Sequence, residues 1–136
     1  MGRVMALDPG TVRIGVAMSD SLGLIAQPHS SLQAEDPELL SEIGSLVTEL
    51  DVERIIVGLP VSLDGTEGPS AVLAREFAGR VAEKTGVAVE MVDERFSTVT
   101  AERVMIEAGT RRAERKSARD RVAAAVFLQA YLDGSK

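Results

Sequence analysis

The sequence predicts an α/β fold in a single domain, residues 1–136, built on a mixed five-stranded sheet with helices on both faces. Three apolar segments near the N-terminus are joined by tight turns, and such short connections join antiparallel strands. The later apolar segments alternate with segments of helical periodicity, and a strand–helix–strand connection leaves its two strands parallel. A chain of 136 residues, 45% of them hydrophobic, is long enough for one core but too short for two comfortable ones.

The first three strands form an antiparallel meander. Strand Arg3–Asp8 ends at the turn Pro9–Val12, whose Pro-Gly pair favours a reversal of the chain, and strand Arg13–Ser19 follows. A third strand covers Leu24–Leu32 after a turn at Ser21–Gly23.

An amphipathic helix comes next, and a parallel strand follows it. Asp36 is a favourable N-cap, and Pro37 suits the first helical position. The apolar residues of this helix recur at helical spacing, namely Leu39, Leu40, Ile43, Leu46, Val47 and Leu50. The run Arg54–Leu59 is short, apolar and rich in β-branched residues, as buried parallel strands are.

The second half of the chain continues the alternation of helix and strand. The loop 60–70 is rich in Gly and Pro, and a helix over Ala71–Thr85 follows, with Gly86 as its C-cap. The apolar face of this helix comprises Leu73, Phe77 and Val81. The remaining elements are a strand over 87–92, a helix from Ser97 or Thr98 to Glu107, and a last helix from Ser117 to Leu132.

Composition excludes several classes of protein. The chain has no apolar run of the roughly 18 residues that a membrane span requires, and its N-terminus lacks the pattern of a signal peptide. The absence of Cys excludes disulfides, thiolate zinc sites and cysteine nucleophiles. We therefore expect a cytoplasmic protein without a membrane partner.

The charge of the chain is unevenly distributed. The net charge is −6, which argues against binding of nucleic acid by overall charge. The segment 111–121, however, holds six basic residues and two acidic ones, while the remainder has nine basic and nineteen acidic residues. Such a segment is either a solvated face or a phosphate-binding surface. We expect Arg111, Arg112 and Arg115 to lie in a mobile loop before the last helix.

Two acidic residues lie at the C-terminal ends of predicted strands. Asp8 ends the first strand, where it either starts the Asp-Pro-Gly turn or serves a solvated site, because an isolated buried carboxylate is costly. Glu94 follows strand 87–92, and it is either a ligand or, with Asp93, a solvated acid before a helix N-terminus.

A third acid, Asp120, lies within an apolar stripe of the last helix. At 100° per residue, the stripe around this position comprises Ala123, Ala124, Phe127 and Tyr131. A carboxylate in such a stripe must be paired, protonated or bound to a metal. Lys116, one turn earlier, is the partner expected for a purely structural role.

The predicted topology allows these three acids to meet at one edge of the sheet. Clustered carboxylates repel one another unless cations neutralise them, and sites composed only of oxygen ligands favour Mg²⁺ or Mn²⁺. Two such ions about 4 Å apart would clamp the attacking and leaving oxygens of a phosphodiester displacement. The basic segment leads directly into Asp120, so phosphates would be held beside the ions.

Four motifs together resemble the YqgF/RuvX family of bacterial proteins, over nearly the whole chain and in unbroken order. They read LDPGTVRIGVAMSD, VGLP followed by DGTEG, VDERFST, and KSARDRVAAAVFLQAYLD. The resemblance implies a ribonuclease H-like fold related to Holliday junction resolvases. It also implies a nuclease that matures the 5′ end of the precursor of 16S ribosomal RNA.

The resemblance implies that Asp8, Glu94 and Asp120 are the metal-binding catalytic acids. Related resolvases carry their second acid after the fourth strand, where this chain reads Gly58-Leu59-Pro60, so Glu94 is the substitute and its neighbour Asp93 the rival. Three basic residues also match family positions, and each either touches a phosphate or pairs with a nearby acid: Arg13, Arg95 and Lys116.

Other polar residues rank lower as site candidates. Asp20 is interpreted as a turn residue, and His29 is not expected to act as a general base. Asp64 and Glu67 lie in a loop that is expected to close over the substrate. With aromatic residues at 3%, base stacking cannot be the main way of holding single-stranded RNA.

The leading functional hypothesis is a metal-dependent phosphodiesterase acting on structured RNA, such as pre-16S rRNA in a pre-ribosomal particle. One alternative is resolution of branched DNA, which would require a symmetric dimer; the sequence leaves monomer and homodimer open. Another is a non-catalytic RNA- or ribosome-binding factor that retains an acidic site. The first hairpin also resembles the phosphate site of actin-like ATPases, but those proteins need two such domains.

Overall fold

The structure, a computed structural model, describes residues 2–10, 12–60, 66–93 and 112–134, the last range with side chains from Arg121 onward. Within these residues the chain forms five strands and three helices. In chain order they are β1 (Arg3–Pro9), β2 (Arg13–Ser19), β3 (Ala26–Gln33), α1 (Leu39–Glu49), β4 (Val52–Leu59), α2 (Pro69–Thr85), β5 (Ala88–Asp93) and α3 (Arg112–Gly134).

The five strands form one mixed sheet in the order β3-β2-β1-β4-β5. β1 lies at the centre, antiparallel to β2 and parallel to β4, while β5 is parallel to β4. β3 pairs antiparallel with β2. The predicted fold class, with three antiparallel strands followed by two parallel ones, is therefore confirmed.

Side chains that alternate along β1 supply two separate cores. Met5 and Leu7 are fully buried in the core that also contains the apolar faces of α1 and α2. Ala6, between them, is buried in the core formed with α3. Successive side chains of a strand point to opposite faces of the sheet, so this assignment of faces extends along the whole strand.

Helix α1 begins two residues later than the sequence predicts. The Asp36 carboxylate accepts a hydrogen bond of 2.9 Å from the Glu38 amide, and the Asp36 carbonyl accepts one of 3.0 Å from the Leu39 amide. Asp36 therefore stabilises a turn that leads into the helix, and regular helix begins at Leu39.

Helix α2 contains one further correction. Its buried residues are Ala71, Ala74, Phe77, Ala78 and Val81, whereas Leu73 is 62% exposed. Adjacent residues of a helix point about 100° apart, so Leu73 and Ala74 cannot both point into the core. The predicted C-cap is confirmed: Gly86 has a left-handed φ of 70°, and its amide donates to the Ala82 carbonyl.

Helix α3 begins at Arg112, five residues before the predicted start. The prediction that Arg112 and Arg115 lie in a loop is therefore wrong. Residues 112–116 read RAERK, and Arg, Ala, Glu and Lys are all strong helix formers. This stretch contains neither Gly nor Pro. Arg111 and the helix predicted to end at Glu107 lie outside the described residues.

The described helices are not membrane spans. None of them combines the length and the apolar character needed to cross a bilayer.

A buried serine ties the end of β2 to β1. Ser19 is 3% exposed, and its Oγ accepts a 2.8 Å hydrogen bond from the Val4 amide and donates to the Asp20 carbonyl. Ser19→Ala is expected to lower the free energy of unfolding by about 1–3 kcal/mol, because it leaves the Val4 amide without this partner. Urea denaturation followed by circular dichroism measures the change. Ser21→Ala, an exposed control, should stay within about 0.5 kcal/mol of the wild type, and equal losses in both variants would contradict the assignment.

Candidate active site

Asp8 lies near the C-terminal end of the central strand and is half-buried. It shares its face of the sheet with Ala6, the face covered by α3. In the register of the sheet, Asp8 lies opposite Gly15 of β2. On its other side, the pairing of Leu7 with Val57 brings Gly58 of β4 alongside.

Asp8 is thus flanked on both neighbouring strands by residues without a side chain. Glycine within a strand weakens it and often marks a place where a ligand or another backbone approaches closely. Gly15 and Gly58 are both buried. At the two strand positions that flank Asp8, the sheet therefore presents only glycine backbone on the face covered by α3.

The alternation of side chains along β5 shows on which face of the sheet Asp93 lies, and Asp93 is the rival of Glu94 as the second acid. Gly58 pairs with Val92, and Val92 packs against the core under α3. Met91 packs against the opposite core, formed by α1 and α2. The alternation places Asp93 on the α1/α2 face, opposite to the face that carries Asp8. Glu94 lies outside the described residues.

Helix α3 passes over the strand that carries Asp8. Ala123, Ala124 and Phe127 are buried, which confirms that part of the predicted apolar stripe. Ala124 belongs to the same core as Ala6. The backbone position of Asp120 is one helical turn before Ala124, on the same helical face. The side chains at 112–120, those of Arg112, Arg115, Lys116 and Asp120 among them, lie outside the described part.

Arg13 lies at the same end of the sheet as Asp8, next to the turn between β1 and β2. It is the first residue of β2, and Pro9 pairs with the next residue, Ile14. Ala17 of the same strand faces α3, so the alternation also places Arg13 on the α3 face. Arg95 and Arg111 lie outside the described residues.

Asp20 is a turn residue, as interpreted from the sequence. Its Oδ1 accepts hydrogen bonds from the amides of Leu24 (2.7 Å) and Ile25 (3.1 Å). These bonds, the one from Ile25 first, hold the pKa of the Asp20 carboxyl below its ordinary value. The turn lies at the end of the sheet opposite to Asp8. His29, exposed on β3, forms a 2.9 Å hydrogen bond between its Nδ1 and Ser30 Oγ.

Glu67 is held by helix α2. Arg75 donates from Nε to Glu67 Oε1 and from Nη2 to Oε2, both at 2.9 Å, in a bidentate pair. This pairing lowers the pKa of the Glu67 carboxyl. Glu67 is therefore paired with a residue of α2, and Asp64 lies outside the described residues.

Two sets of contacts that join α3 to the sheet could not be predicted from the sequence. The Gln129 side chain accepts a hydrogen bond from the Ala26 amide (2.9 Å) and donates one to the Leu24 carbonyl (3.0 Å). The Tyr131 hydroxyl donates to Glu90 Oε2 and accepts from Arg54 Nη1. No local pattern around these residues marks them, because each contact joins residues 41 or more positions apart.

No cluster of three or more His, Asp or Glu side chains able to hold a metal ion occurs within the ranges that the structure describes. Two of the three predicted acidic ligands, Glu94 and Asp120, have side chains outside those ranges.

The geometry can be compared with known proteins. A profile of the RuvX family, described as Holliday junction resolvase, matches residues 2–134. A relative from Syntrophomonas wolfei is 46% identical over 133 residues, covering 97% of this chain and 94% of its own. One from Myxococcus xanthus is 44% identical over 139 residues, covering 98% and 89%. Both carry the name "Putative pre-16S rRNA nuclease".

Among solved structures, the chain is similar to T. thermophilus RuvC in complex with a Holliday junction substrate. The TM-score is 0.56 at 16% identity, and the match covers 97% of this chain and 96% of the other. This likeness confirms the predicted ribonuclease H-like fold. The family profile and the two relatives together show that this chain belongs to the RuvX family.

Proposed function

We propose that this protein is a metal-dependent nuclease that matures the 5′ end of the precursor of 16S ribosomal RNA. It acts in the cytoplasm as a monomer or homodimer. The observation that carries the proposal is the placement of Asp8 at the C-terminal end of the central strand, between Gly15 and Gly58, on the face covered by α3. Family membership and the names of the relatives support the substrate.

The acidic residues fit a divalent cation. Asp8, Glu94 and Asp120 would supply only carboxylate oxygens, which are the ligands preferred by Mg²⁺ and Mn²⁺. The glycines on both sides of Asp8 support such a site, because these two strand positions place only backbone beside the carboxylate. When bound, the cation lowers the pKa of a coordinated water and stabilises charge on the phosphate.

The second carboxylate is Glu94 in this proposal. Asp93 lies on the α1/α2 face, away from Asp8, which disfavours it as a ligand of the same cation. The three acids hold the cation, so their positions relative to one another decide whether it binds.

Basic residues hold the substrate's phosphates. Arg13 lies at the edge and on the face that carry Asp8, so it is placed to contact a phosphate next to the scissile bond. Lys116, Arg95 and the arginines of the 111–121 segment are assigned the same role. Such contacts position the nucleic acid without reading its bases.

The second candidate function is resolution of branched DNA. It is favoured by the description of the family profile and by the fold likeness to RuvC. A resolvase cuts two strands related by symmetry, which a two-fold dimer accomplishes directly. The two functions therefore differ in substrate and in the need for a dimer.

The deciding experiment incubates the purified protein and Mn²⁺ with labelled pre-16S RNA or a four-way DNA junction, beside Asp120→Asn. We expect the wild type to cut the RNA and the variant to leave it intact. Preferential cutting of the junction would favour the resolvase. Binding of RNA without cleavage would instead indicate a non-catalytic RNA- or ribosome-binding factor.

The basic segment provides a separate test of nucleic-acid binding. Replacing Arg111, Arg112 and Arg115 with Ala is expected to weaken RNA binding similarly across sequences. The salt dependence should flatten by about 0.7 in slope for each lost contact with a single strand. The free energy of unfolding should change by less than about 0.5 kcal/mol, because Ala favours helix and a single surface ion pair contributes little. Filter binding across salt concentrations measures the RNA affinity and its salt dependence.

The matched control for this test removes cations from the other face of the sheet. Arg80→Ala/Lys84→Ala changes helix α2, which packs on the α1/α2 face, and should keep the wild-type slope. If the arginine variant binds RNA with the wild-type affinity and slope, the segment is only a solvated surface.

A further inference from the structure

Helix α3 is joined to both sides of the sheet by hydrogen bonds near its C-terminal end. The Gln129 side chain accepts from the Ala26 amide at 2.9 Å and donates to the Leu24 carbonyl at 3.0 Å, which joins the helix to the connection between β2 and β3. The Tyr131 hydroxyl joins the helix to β4 and β5. We call these two sets of contacts the anchors of α3. Residues two apart in a helix point about 200° apart, so the anchors leave α3 on nearly opposite flanks.

The Tyr131 anchor is a network of three side chains. The Tyr131 hydroxyl donates to Glu90 Oε2 at 2.9 Å and accepts from Arg54 Nη1 at 3.0 Å, and that Arg54 nitrogen lies 3.4 Å from the same Glu90 oxygen. The Arg54 and Glu90 side chains are half-exposed, so their ion pair alone contributes little. The hydroxyl adds two charge-assisted hydrogen bonds with a preferred direction. The network therefore restricts where the helix lies above β4 and β5.

The anchors lie far from the proposed catalytic site. Arg54 pairs with Val4 of β1, and Val4 precedes Asp8 by four residues, roughly 13 Å along an extended strand. Position 120 of α3 precedes Gln129 and Tyr131 by roughly 13 to 17 Å along the helix axis. The helix therefore extends well beyond its anchors before it reaches the position of the proposed third acid.

The buried side chains of α3 become smaller towards position 120. Phe127 and Leu128 lie beside the anchors, whereas Ala124 is buried one turn before Leu128. Ala124 belongs to the same core as Ala6 and Ala17 of the sheet. Alanine side chains form only low ridges, and apolar contacts have no preferred direction. This packing holds the helix against the sheet but does little to fix its tilt.

A cation shared by two acids on different elements tolerates little movement between them. A tilt of about 5° moves a point about 16 Å from the pivot by roughly 1.4 Å. Distances from a metal ion to its ligands are held to within about 0.2 Å. A small change in the tilt of α3 is therefore enough to separate position 120 from a cation bound at Asp8.

We propose that Gln129 and Tyr131 are positioning residues of the nuclease, whose anchors fix the tilt of α3 and thereby hold the backbone of Asp120 beside Asp8. The inference rests on the proposed function, in which both acids bind one cation. The anchors act through the helix and not on the RNA. Their loss therefore weakens cation binding and slows cleavage without weakening RNA binding.

The test titrates Tyr131→Phe and Gln129→Ala/Tyr131→Phe with Mn²⁺ in a calorimeter. Tyr131→Phe removes one hydroxyl and keeps the ring, so its Mn²⁺ affinity should fall by about threefold to tenfold. The double variant releases both flanks, and its Mn²⁺ affinity and its kcat on labelled pre-16S RNA should each fall by at least about tenfold. Its KM for the RNA should stay within about twofold of the wild type.

Thr85→Val is the matched control. Thr85 Oγ1 donates to the Val81 carbonyl at 2.8 Å and accepts from the Val87 amide at 3.2 Å, so this variant also removes one hydroxyl with two hydrogen bonds near the end of a helix. Helix α2 packs on the opposite face of the sheet. At a temperature where all variants are folded, Thr85→Val should keep the wild-type Mn²⁺ affinity and kcat.

Variants of Glu90 test whether the hydrogen bond itself matters. Glu90→Gln keeps an oxygen that accepts from the Tyr131 hydroxyl, and its Mn²⁺ affinity should stay within about twofold of the wild type. Glu90→Ala should lose as much affinity as Tyr131→Phe. The two losses should not add in Glu90→Ala/Tyr131→Phe, because both substitutions break the same bond.

The outcomes separate this inference from the nuclease assignment. Wild-type Mn²⁺ affinity and kcat in the double variant overturn the positioning role, as does a loss confined to KM. Equal losses in Thr85→Val and Tyr131→Phe also overturn it, because they would reflect stability in general. A wild-type protein that neither binds Mn²⁺ nor cuts RNA overturns the proposed function and the positioning role together.

Discussion

Asp8→Asn is expected to abolish both nuclease activity and Mn²⁺ binding while leaving the fold intact. The substitution keeps the size of the side chain but removes the charge that a divalent cation requires. Because the proposed acids act as a unit, the loss of one should lower kcat by about a thousandfold or more. Calorimetric titration with Mn²⁺ and the cleavage assay measure the two effects.

The unfolding temperature shows whether Asp8→Asn loses activity because a metal ligand is missing or because the protein no longer folds. Asp8→Asn should unfold in chelator at the same temperature as the wild type, or higher, because the proposed site places several carboxylates together and removing one would relieve repulsion. The control is Asp51→Asn, at an exposed residue with a φ of 53°, a backbone conformation that Asn tolerates well. It should bind Mn²⁺ as the wild type does. An unchanged Mn²⁺ affinity in Asp8→Asn would remove that residue from the site.

The second large effect distinguishes two adjacent acids. Glu94→Gln should lower activity at least about a hundredfold, whereas Asp93→Asn should stay within about threefold of the wild type. The physical reason is the alternation of β5, which places Asp93 on the face opposite to Asp8. Both variants remove one negative charge from neighbouring positions, so each serves as the control for the other.

Cleavage rates and Mn²⁺ titration of this pair give a clear decision. The reverse pattern, with Asp93→Asn inactive and Glu94→Gln active, would assign the second ligand to Asp93. Equal losses would indicate that the local charge matters rather than one coordinating carboxylate.

The elements that depend on local chemistry could be predicted from the amino-acid sequence. The Asp-Pro-Gly turn predicted the reversal between β1 and β2, and the β-branched run at 54–59 predicted β4. Gly86 ends α2 as predicted, since a left-handed residue there favours Gly. Asp8 and Asp120 were selected as candidates because a carboxylate beside apolar residues is conspicuous in any sequence.

The first residues of the helices were less predictable, because several neighbouring positions can start a helix with similar free energy. Asp36 stabilises a turn before α1 instead of its first helical residue. Arg112 and Arg115 belong to α3 because the residues around them favour helix, although the polar stretch that includes Gly109 and Thr110 suggested a loop. The exposure of Leu73 follows from which stripe of α2 the sheet covers.

Which residues share a face and an end of the sheet depends on long-range packing, and it could not be read from the sequence. The register of β1 with β2 and β4 brings Gly15 and Gly58 to the sides of Asp8, and the alternation of β5 turns Asp93 away. The contacts of Gln129 with Leu24 and Ala26 join residues more than 100 positions apart. Such pairings depend on how strands align and where a helix crosses them. No short window of sequence records that information, because the two partners are distant along the chain.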